Sequence, residues 1–291
     1  MESNQNNTKI KWLFFGTDEF SVKVLDTLKS RGFLPTLIVT VPDQPKGRKL
    51  VLTPPPAKLW ALENHIDFLQ PSSLKDPAFD LQLRTYNLQL FMVASYGKII
   101  SQAILDLPAH GTLNIHPSLL PKYRGATPLE SAILSGDDKT GVSIIKLDAE
   151  MDHGPILSQT EISFEDKPFY NELRDKTAEA GANLLADILP KYLSGELIPA
   201  EQDHSLATYT KKIEKTDGLI DLTANPELNY RKIRAFTPWP GAYFFIKKDE
   251  RDLRVVIKKA HLDNGELIID SVVPEGKNEM DWASFQRGYL K

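Results

Sequence analysis

The feature that most constrains this chain is a strand–turn–helix–strand succession at its start. Lys9-Ile-Lys-Trp-Leu-Phe-Phe15 is an apolar run of strand length that feeds directly into Gly16-Thr17-Asp18. Apolar residues then recur at positions 20, 22, 24, 25 and 28, a helical spacing, before a second apolar run from Phe33 to Val41. That order is the βαβ unit of a parallel sheet, whose strands are buried on both faces and so read as continuous apolar runs. The alternation continues. Leu88-Gln-Leu-Phe-Met-Val-Ala94 and Gly111-Thr-Leu-Asn-Ile115 read as further buried strands, with helix-like segments at 56–64 and 99–105. Val142 to Leu147 and Pro155 to Ile162 read as an antiparallel pair at the sheet edge, and Phe169 to Tyr192 as a long amphipathic helix.

Pro190, Gly195 and Pro199 then break the pattern, and the chain to about 210 is polar and aperiodic, as a linker would be. Beyond it come short alternating runs: Leu219–Leu222, Ala242–Ile246, Leu253–Ile257 and Leu267–Val273. These describe a small all-β module, a barrel in the simplest case. The chain is therefore expected to hold a disordered polar tail (1–8), an α/β domain (9–190), a linker (191–210) and a β domain (211–291). Two domains also suit 291 residues at roughly 150 per domain.

Composition narrows the chemistry. There is no cysteine, which excludes disulfide frameworks, zinc–thiolate sites, iron–sulfur clusters and a thiolate nucleophile. The apolar runs are strand-sized, well short of the roughly 20 residues that a membrane-spanning helix needs. Met1 to Thr8 has neither the basic nor the apolar segment of a signal peptide, so a cytoplasmic location with no membrane partner is expected. The net charge of −4 argues against a nucleic-acid partner only until its distribution is considered. Residues 211–291 carry 15 Lys and Arg against 13 Asp and Glu, and within 211–259 the count is 12 against 7. Local charge, not the total, decides whether a polyanion can dock.

Four places carry candidate chemistry. Gly16-Thr17-Asp18 lies where a dinucleotide loop would lie, but one glycine does not make a GxGxxG fingerprint. It reads instead as a tight turn with Thr17 or Asp18 as helix N-cap. Asn114-Ile115-His116-Pro117 ends a buried strand, and ligands of open α/β sheets bind beyond the carboxyl ends of strands. A spacing of two puts Asn114 and His116 on one face. The amide can hold a developing oxyanion and the imidazole can move a proton. A carboxylate from Leu147-Asp-Ala-Glu-Met-Asp-His-Gly-Pro155 would orient that imidazole, and Asp148, Glu150 and Asp152 are equally available on spacing alone. The stretch from Val41 to Pro56 is long for a strand-to-helix connection, and its Lys46, Arg48 and Lys49 around Gly47 suit phosphates.

With these residues in place, the chain resembles the 10-formyltetrahydrofolate-dependent formyltransferases. The resemblance rests on Asn-x-His followed by Pro117-Ser-Leu-Leu-Pro-Lys-Tyr-Arg-Gly125, with Asp152-x-Gly-Pro some 36 positions after His116. Phe14-Phe-Gly-Thr-Asp-Glu-Phe20, Pro42-Asp-Gln-Pro-Lys-Gly-Arg-Lys49, Ala207–Lys215 and Ile233-Arg-Ala-Phe-Thr-Pro-Trp-Pro-Gly241 resemble the branch that formylates methionyl-tRNA. It covers about residues 9–291. The resemblance implies a Rossmann-like, mostly parallel sheet followed by an oligonucleotide-binding-like (OB-like) barrel. It selects Asp152 over its acidic neighbours, to set the charge and orientation of His116, with Asn114 on the formyl oxygen. Ser118, Leu119, Leu120 and Pro121 would line the folate site, together with Val93, Ser95, Tyr96 and Gly97. Lys46, Arg48, Lys49, Lys211 and Lys212 would meet the tRNA. The co-substrate would be 10-formyltetrahydrofolate, the acceptor initiator methionyl-tRNA, and the protein a monomer that requires no metal.

Three positions depart from the family pattern. The basic loop reads Gly47-Arg-Lys-Leu-Val51 without the usual second glycine and further lysine, and His153 stands where the residue is usually small or a threonine. The C-terminal domain is also short between Lys259 and Gly276, so the barrel is expected to be shortened. A sugar-nucleotide N-formyltransferase, a formyltetrahydrofolate hydrolase and a catalytically idle tRNA-binding protein are the alternative readings.

Overall fold

The computed structural model describes residues 10–47, 50–164, 166–248 and 250–290. Arg48, Lys49 and the tail at 1–8 lie outside the described residues. The described chain runs β1 (Trp12–Gly16), α1 (Glu19–Ser30), β2 (Leu37–Val39), β3 (Gln44–Lys46), β4 (Val51–Thr53), α2 (Pro56–Glu63) and β5 (Asp67–Leu69). It continues with α3 (Pro77–Thr85), β6 (Leu90–Ala94), α4 (Gln102–Leu105), β7 (Thr112–His116), α5 (Pro128–Ser135), β8 (Lys139–Lys146), β9 (Ile156–Ser163) and α6 (Tyr170–Leu193). Last come α7 (Pro226–Ala235), β10 (Tyr243–Lys248), β11 (Arg251–Asp263), β12 (Glu266–Pro274), β13 (Met280–Asp281) and α8 (Trp282–Tyr289).

These elements divide into two compact units. The first comprises the chain up to Arg124 with Gly141–Glu161 and Asp175–Thr208. The second comprises Gly125–Thr140, Ile162–Arg174 and the chain from Tyr209 onward. No helix among the described residues is long and apolar enough to cross a membrane.

The mostly parallel sheet has the order β5-β2-β1-β6-β7-β8-β9. Strands β5, β2, β1, β6 and β7 pair in parallel, and β8 turns back antiparallel against β7. Every residue of β1, β6 and β7 is buried, which is why β1 and β6 read as unbroken apolar runs. Leu13, Phe15, Leu37, Val39, Phe91 and Val93 form one core with Phe79 and Leu83 of α3. The Gly16 turn is structural: Asp18 caps α1 by accepting from the Phe20 and Ser21 amides at 3.1 and 3.2 Å. The close approach explains the glycine, because a Cβ there would fall 2.8 Å from the Ser21 side chain.

The second unit holds the antiparallel sheet β10-β11-β12-β13. Phe244, Val255, Ile257, Ile269, Val272 and Phe285 build its core with Ile233 of α7. Two helices enter a region that alternation alone presents as all-β. Asn225 and Pro226 start α7, with the Asn225 side chain accepting from the Leu228 amide, and Asp281 caps α8 at the Ser284 amide. Leu219–Leu222 forms no strand; Leu219 makes a single bridge to Tyr243. Period-two runs this short fit either a strand or an extended approach to a helix, and the caps decide.

Candidate functional site

Strand β7 fixes the first two residues. Its register is locked on both sides, Val93 opposite Asn114 on β6 and Ile145 opposite Asn114 on β8. Leu113 and Ile115 face one way and Asn114 and His116 the other, as period two requires. The Asn114 and His116 residues are 9% and 4% exposed, so both polar groups have been taken from water and need partners.

Asp152 lies beside both. It lies in the connection between β8 and β9, where its carboxylate Oδ1 stands 3.5 Å from Asn114 Nδ2 and 3.6 Å from His116 Nδ1. The other ring nitrogen of His116 is 2.9 Å from the Tyr123 carbonyl oxygen. A carbonyl only accepts, so Nε2 carries the proton and Nδ1 is the nitrogen turned toward Asp152. Asp148, the rival carboxylate, is engaged elsewhere: its Oδ2 lies 2.8 Å from His153 Nδ1, and the His153 ring stacks on His204 at 4.0 Å.

Asn114 and Asp152 line a cavity of about 380 Å³ whose wall is mainly apolar, with Val93, Ile99, Ile100 and Leu147 prominent. An apolar slot edged by an amide and carboxylates suits a flat heterocycle bearing hydrogen-bonding edges. Of the eight residues expected at the folate, Val93 lines this cavity. Ser95 donates to Asp18 Oδ2 at 2.6 Å, and Gly97 sits at φ +77° in the turn after β6. Ser118 and Leu120 knit the turn after β7 to β8: Ser143 donates to the Ser118 carbonyl at 2.6 Å and accepts from the Leu120 amide at 3.0 Å. The Leu119 side chain lies against Gly141, and the Leu120–Pro121 bond is cis. Lys46 is exposed on β3, and Lys211 and Lys212 are exposed in the second unit.

Tyr96 is 3% exposed, and its hydroxyl has no partner among the described residues. Burial pushes the phenol up to about 12. The folded state therefore keeps a proton that the unfolded chain releases near pH 10, and the stability it confers is lost as pH rises from about 10 to about 12. Tyr96→Phe should remove that loss, about 1.4 kcal/mol at pH 11, and leave the pH dependence around pH 8 as it is in the wild type. Urea melts at the two pH values check this; an unchanged alkaline slope would place the titration elsewhere.

Sequence reasoning did not single out Arg124 or Gln202 as site-building groups. Gln202 is 5% exposed and its Nε2 donates to the backbone oxygens of Asp152 and Gly154 at 2.9 and 2.7 Å. Its Oε1 accepts from Nη2 of Arg124 at 2.7 Å. Arg124 was visible within the Pro117–Gly125 motif, but Gln202 sits in an aperiodic polar stretch with no pattern to mark it.

Residues 8–189 match the family described as formyl transferase, and residues 212–266 match the formyl transferase C-terminal domain. The methionyl-tRNA formyltransferase of Chloroflexus aurantiacus is 45% identical over 233 residues, covering 80% of this chain and 75% of its own. Among solved structures, methionyl-tRNA formyltransferase from Clostridium thermocellum aligns with a TM-score of 0.61 at 19% identity, over 91% of this chain and 98% of that one. HypX from Aquifex aeolicus in complex with tetrahydrofolic acid aligns at 0.63 and 16%, over 97% of this chain and 48% of that one. At these identities the two structures speak to the fold.

Proposed function

The chain belongs to the formyl transferase family, and from that premise we propose that it transfers a formyl group from 10-formyltetrahydrofolate to the α-amine of methionyl-initiator-tRNA. The product is N-formylmethionyl-tRNA. We further propose that it acts as a monomer in the cytoplasm. The observation that carries the reading is the convergence of Asn114, His116 and Asp152 beside an apolar cavity, in a chain 45% identical to a methionyl-tRNA formyltransferase.

The donor supplies a formyl group already attached to a nitrogen that can leave. The chain supplies charge and proton handling. An amino-acyl ester has an α-amine more acidic than a free one, itself at about 7.7–8.0, so much of it is neutral near pH 7 and needs no strong base. Asn114 offers an amide N–H to the formyl oxygen as that oxygen gains negative charge. His116, held by Nε2, takes at Nδ1 the proton that the amine sheds on attack. It returns that proton to the nitrogen that departs. Asp152 faces Nδ1 at 3.6 Å and steadies the imidazolium between those two events. Orientation and oxyanion stabilisation are the two contributions this arrangement makes to rate.

One assay tests the reading. The protein is given formyl donor with charged initiator tRNA, charged elongator tRNA, a UDP-4-amino sugar, or buffer. Formylation of initiator methionyl-tRNA is expected. Formyl on the sugar, or formate released without an acceptor, would replace the reading with the sugar-nucleotide transferase or the hydrolase.

The β3–β4 hairpin carries the acceptor's phosphates in this mechanism. Replacing Lys46 and Arg48 together by alanine should raise KM for tRNA about tenfold at physiological salt, with kcat within twofold. The log–log salt slope should fall by about 2, close to one for each phosphate no longer neutralised. A KM that keeps its wild-type salt dependence would remove the hairpin from tRNA binding.

A further inference from the structure

We propose that Gln202 is a positioning residue for formyl transfer, holding the turn that carries the Asp152 carboxylate beside His116 through a circuit of hydrogen bonds and one close charged contact. The inference rests on the catalytic reading above. The circuit starts at His116, whose Nε2 donates to the Tyr123 carbonyl at 2.9 Å. The next residue, Arg124, is 2% exposed and gives Nε and Nη2 to Gln202 Oε1 at 3.2 and 2.7 Å. Gln202 Nε2 then donates to the Asp152 carbonyl at 2.9 Å and to the Gly154 carbonyl at 2.7 Å. The Asp152 carboxylate faces His116 Nδ1 at 3.6 Å, the one contact of the circuit that is no hydrogen bond in the resting site.

The chemistry of the amide admits one orientation. Turned over, Gln202 would set its oxygen against two carbonyl oxygens and its NH₂ against a guanidinium, which has no acceptor. A glutamine is thus the one neutral side chain of this length that can accept from Arg124 and donate to two backbone carbonyls at once. Arg124 is in turn pinned: its amide donates to Thr208 O at 2.8 Å and its Nη2 lies 2.8 Å from His204 Nδ1. His204 accepts there, since arginine cannot.

The conformations being held also need holding. Asp152 has φ +49° and Tyr123 has φ +60°, both left-handed for residues with a Cβ. Such backbones cost on the order of 1–2 kcal/mol and persist only where the surroundings fix them. One of these residues carries the carboxylate and the other the carbonyl that sets the His116 tautomer. Gln202, reached 50 residues after Asp152 in the chain, joins the two.

The experiment compares Gln202→Leu and Gln202→Glu in wild-type and Asp152→Asn backgrounds, with formyl transfer to methionyl-tRNA as the readout. The carboxylate introduced by Gln202→Glu cannot donate, yet it keeps an acceptor for Arg124. That variant therefore removes the bonds to the Asp152 and Gly154 carbonyls and keeps the contact with Arg124. Each single variant should lose about 30- to 100-fold in kcat, with KM for donor and tRNA within about twofold, because a 1 Å misplacement costs about that much. In the Asp152→Asn background the same changes should cost less than about threefold, since the group being positioned is gone. Turnover within threefold of wild type in Gln202→Glu, or equal losses in both backgrounds, would overturn the proposal. Should Gln202→Leu not fold, Gln202→Glu decides. Near-wild-type activity in Asp152→Asn would instead overturn the catalytic reading. Collapse of Asp152→Asn with silent Gln202 variants would sink only the positioning role.

Discussion

Asn114→Ala should lower kcat for formyl transfer by about 10²–10³-fold while leaving KM for the formyl donor within about threefold. Among the described residues the side chain makes one long bond in the resting site, 3.5 Å to Asp152, so little of the resting structure is lost with it. In the proposed mechanism what is lost is a donor to the oxygen where charge develops, and removal of a single such donor costs about 3–4 kcal/mol of barrier. Ala is well tolerated in the strand, because Leu113 and Ile115 supply its core packing from the opposite face. The thermal midpoint should therefore stay within a few degrees. Steady-state kinetics with radiolabelled formyl donor, alongside a thermal melt, separate the two effects. A variant that keeps a third of wild-type turnover would remove Asn114 from the chemistry.

Gly154→Ala should damage the site without touching any group that meets the substrate. A Cβ built on Gly154 falls onto the Lys146 carbonyl, 3.0 Å from its carbon and closer still to its oxygen. That carbonyl belongs to the end of β8, and Lys146 N–H donates back to the Pro155 oxygen at 3.0 Å, so the strand cannot simply withdraw. The turn must lift instead, and Asp152 lies two residues away. Overpacking of this kind costs about 1–3 kcal/mol, against about 0.4–1 kcal/mol gained from a stiffer unfolded chain. The thermal midpoint should drop by several degrees and kcat by at least about 30-fold. Full activity would mean that the turn has slack and that the carboxylate's place is not set by the backbone.

The parts of this molecule legible in its sequence are those fixed by short-range patterning. Continuous apolar runs marked β1 and β6 because burial on both faces leaves no polar positions to interrupt them. The strand-end pair Asn114 and His116 was legible for the same reason: two polar residues at period two in such a run demand an explanation. Asp152 was not separable from Asp148 and Glu150 by spacing, since a turn places its side chains by three-dimensional closure. The fold resolves it through partners: Asp148 goes to His153, and Asp152 goes to Asn114 and His116. Arg124 and Gln202 meet across 78 residues of chain, a closure that no local period records. Helix α7 was hidden differently. Its buried face includes Asn229 and Arg234 beside Ile233, so hydrophobicity alone traces no stripe, and only the Asn225-Pro226 start betrays it.

Among the described residues, strands β3 and β4 pair with each other and with no strand of either larger sheet. Their ladder, Gln44 to Thr53 through Lys46 to Val51, is complete without help. This hairpin is thus an appendix to the sheet and no part of its scaffold. With the hairpin meeting the tRNA as proposed, length, charge and sequence between 44 and 53 are free to drift under selection for a different acceptor. Strand β7, which carries both Asn114 and His116, need not change in response. On the proposed reading, acceptor choice and reaction chemistry are written on separate backbone networks, which allows one to be re-edited while the other is inherited intact.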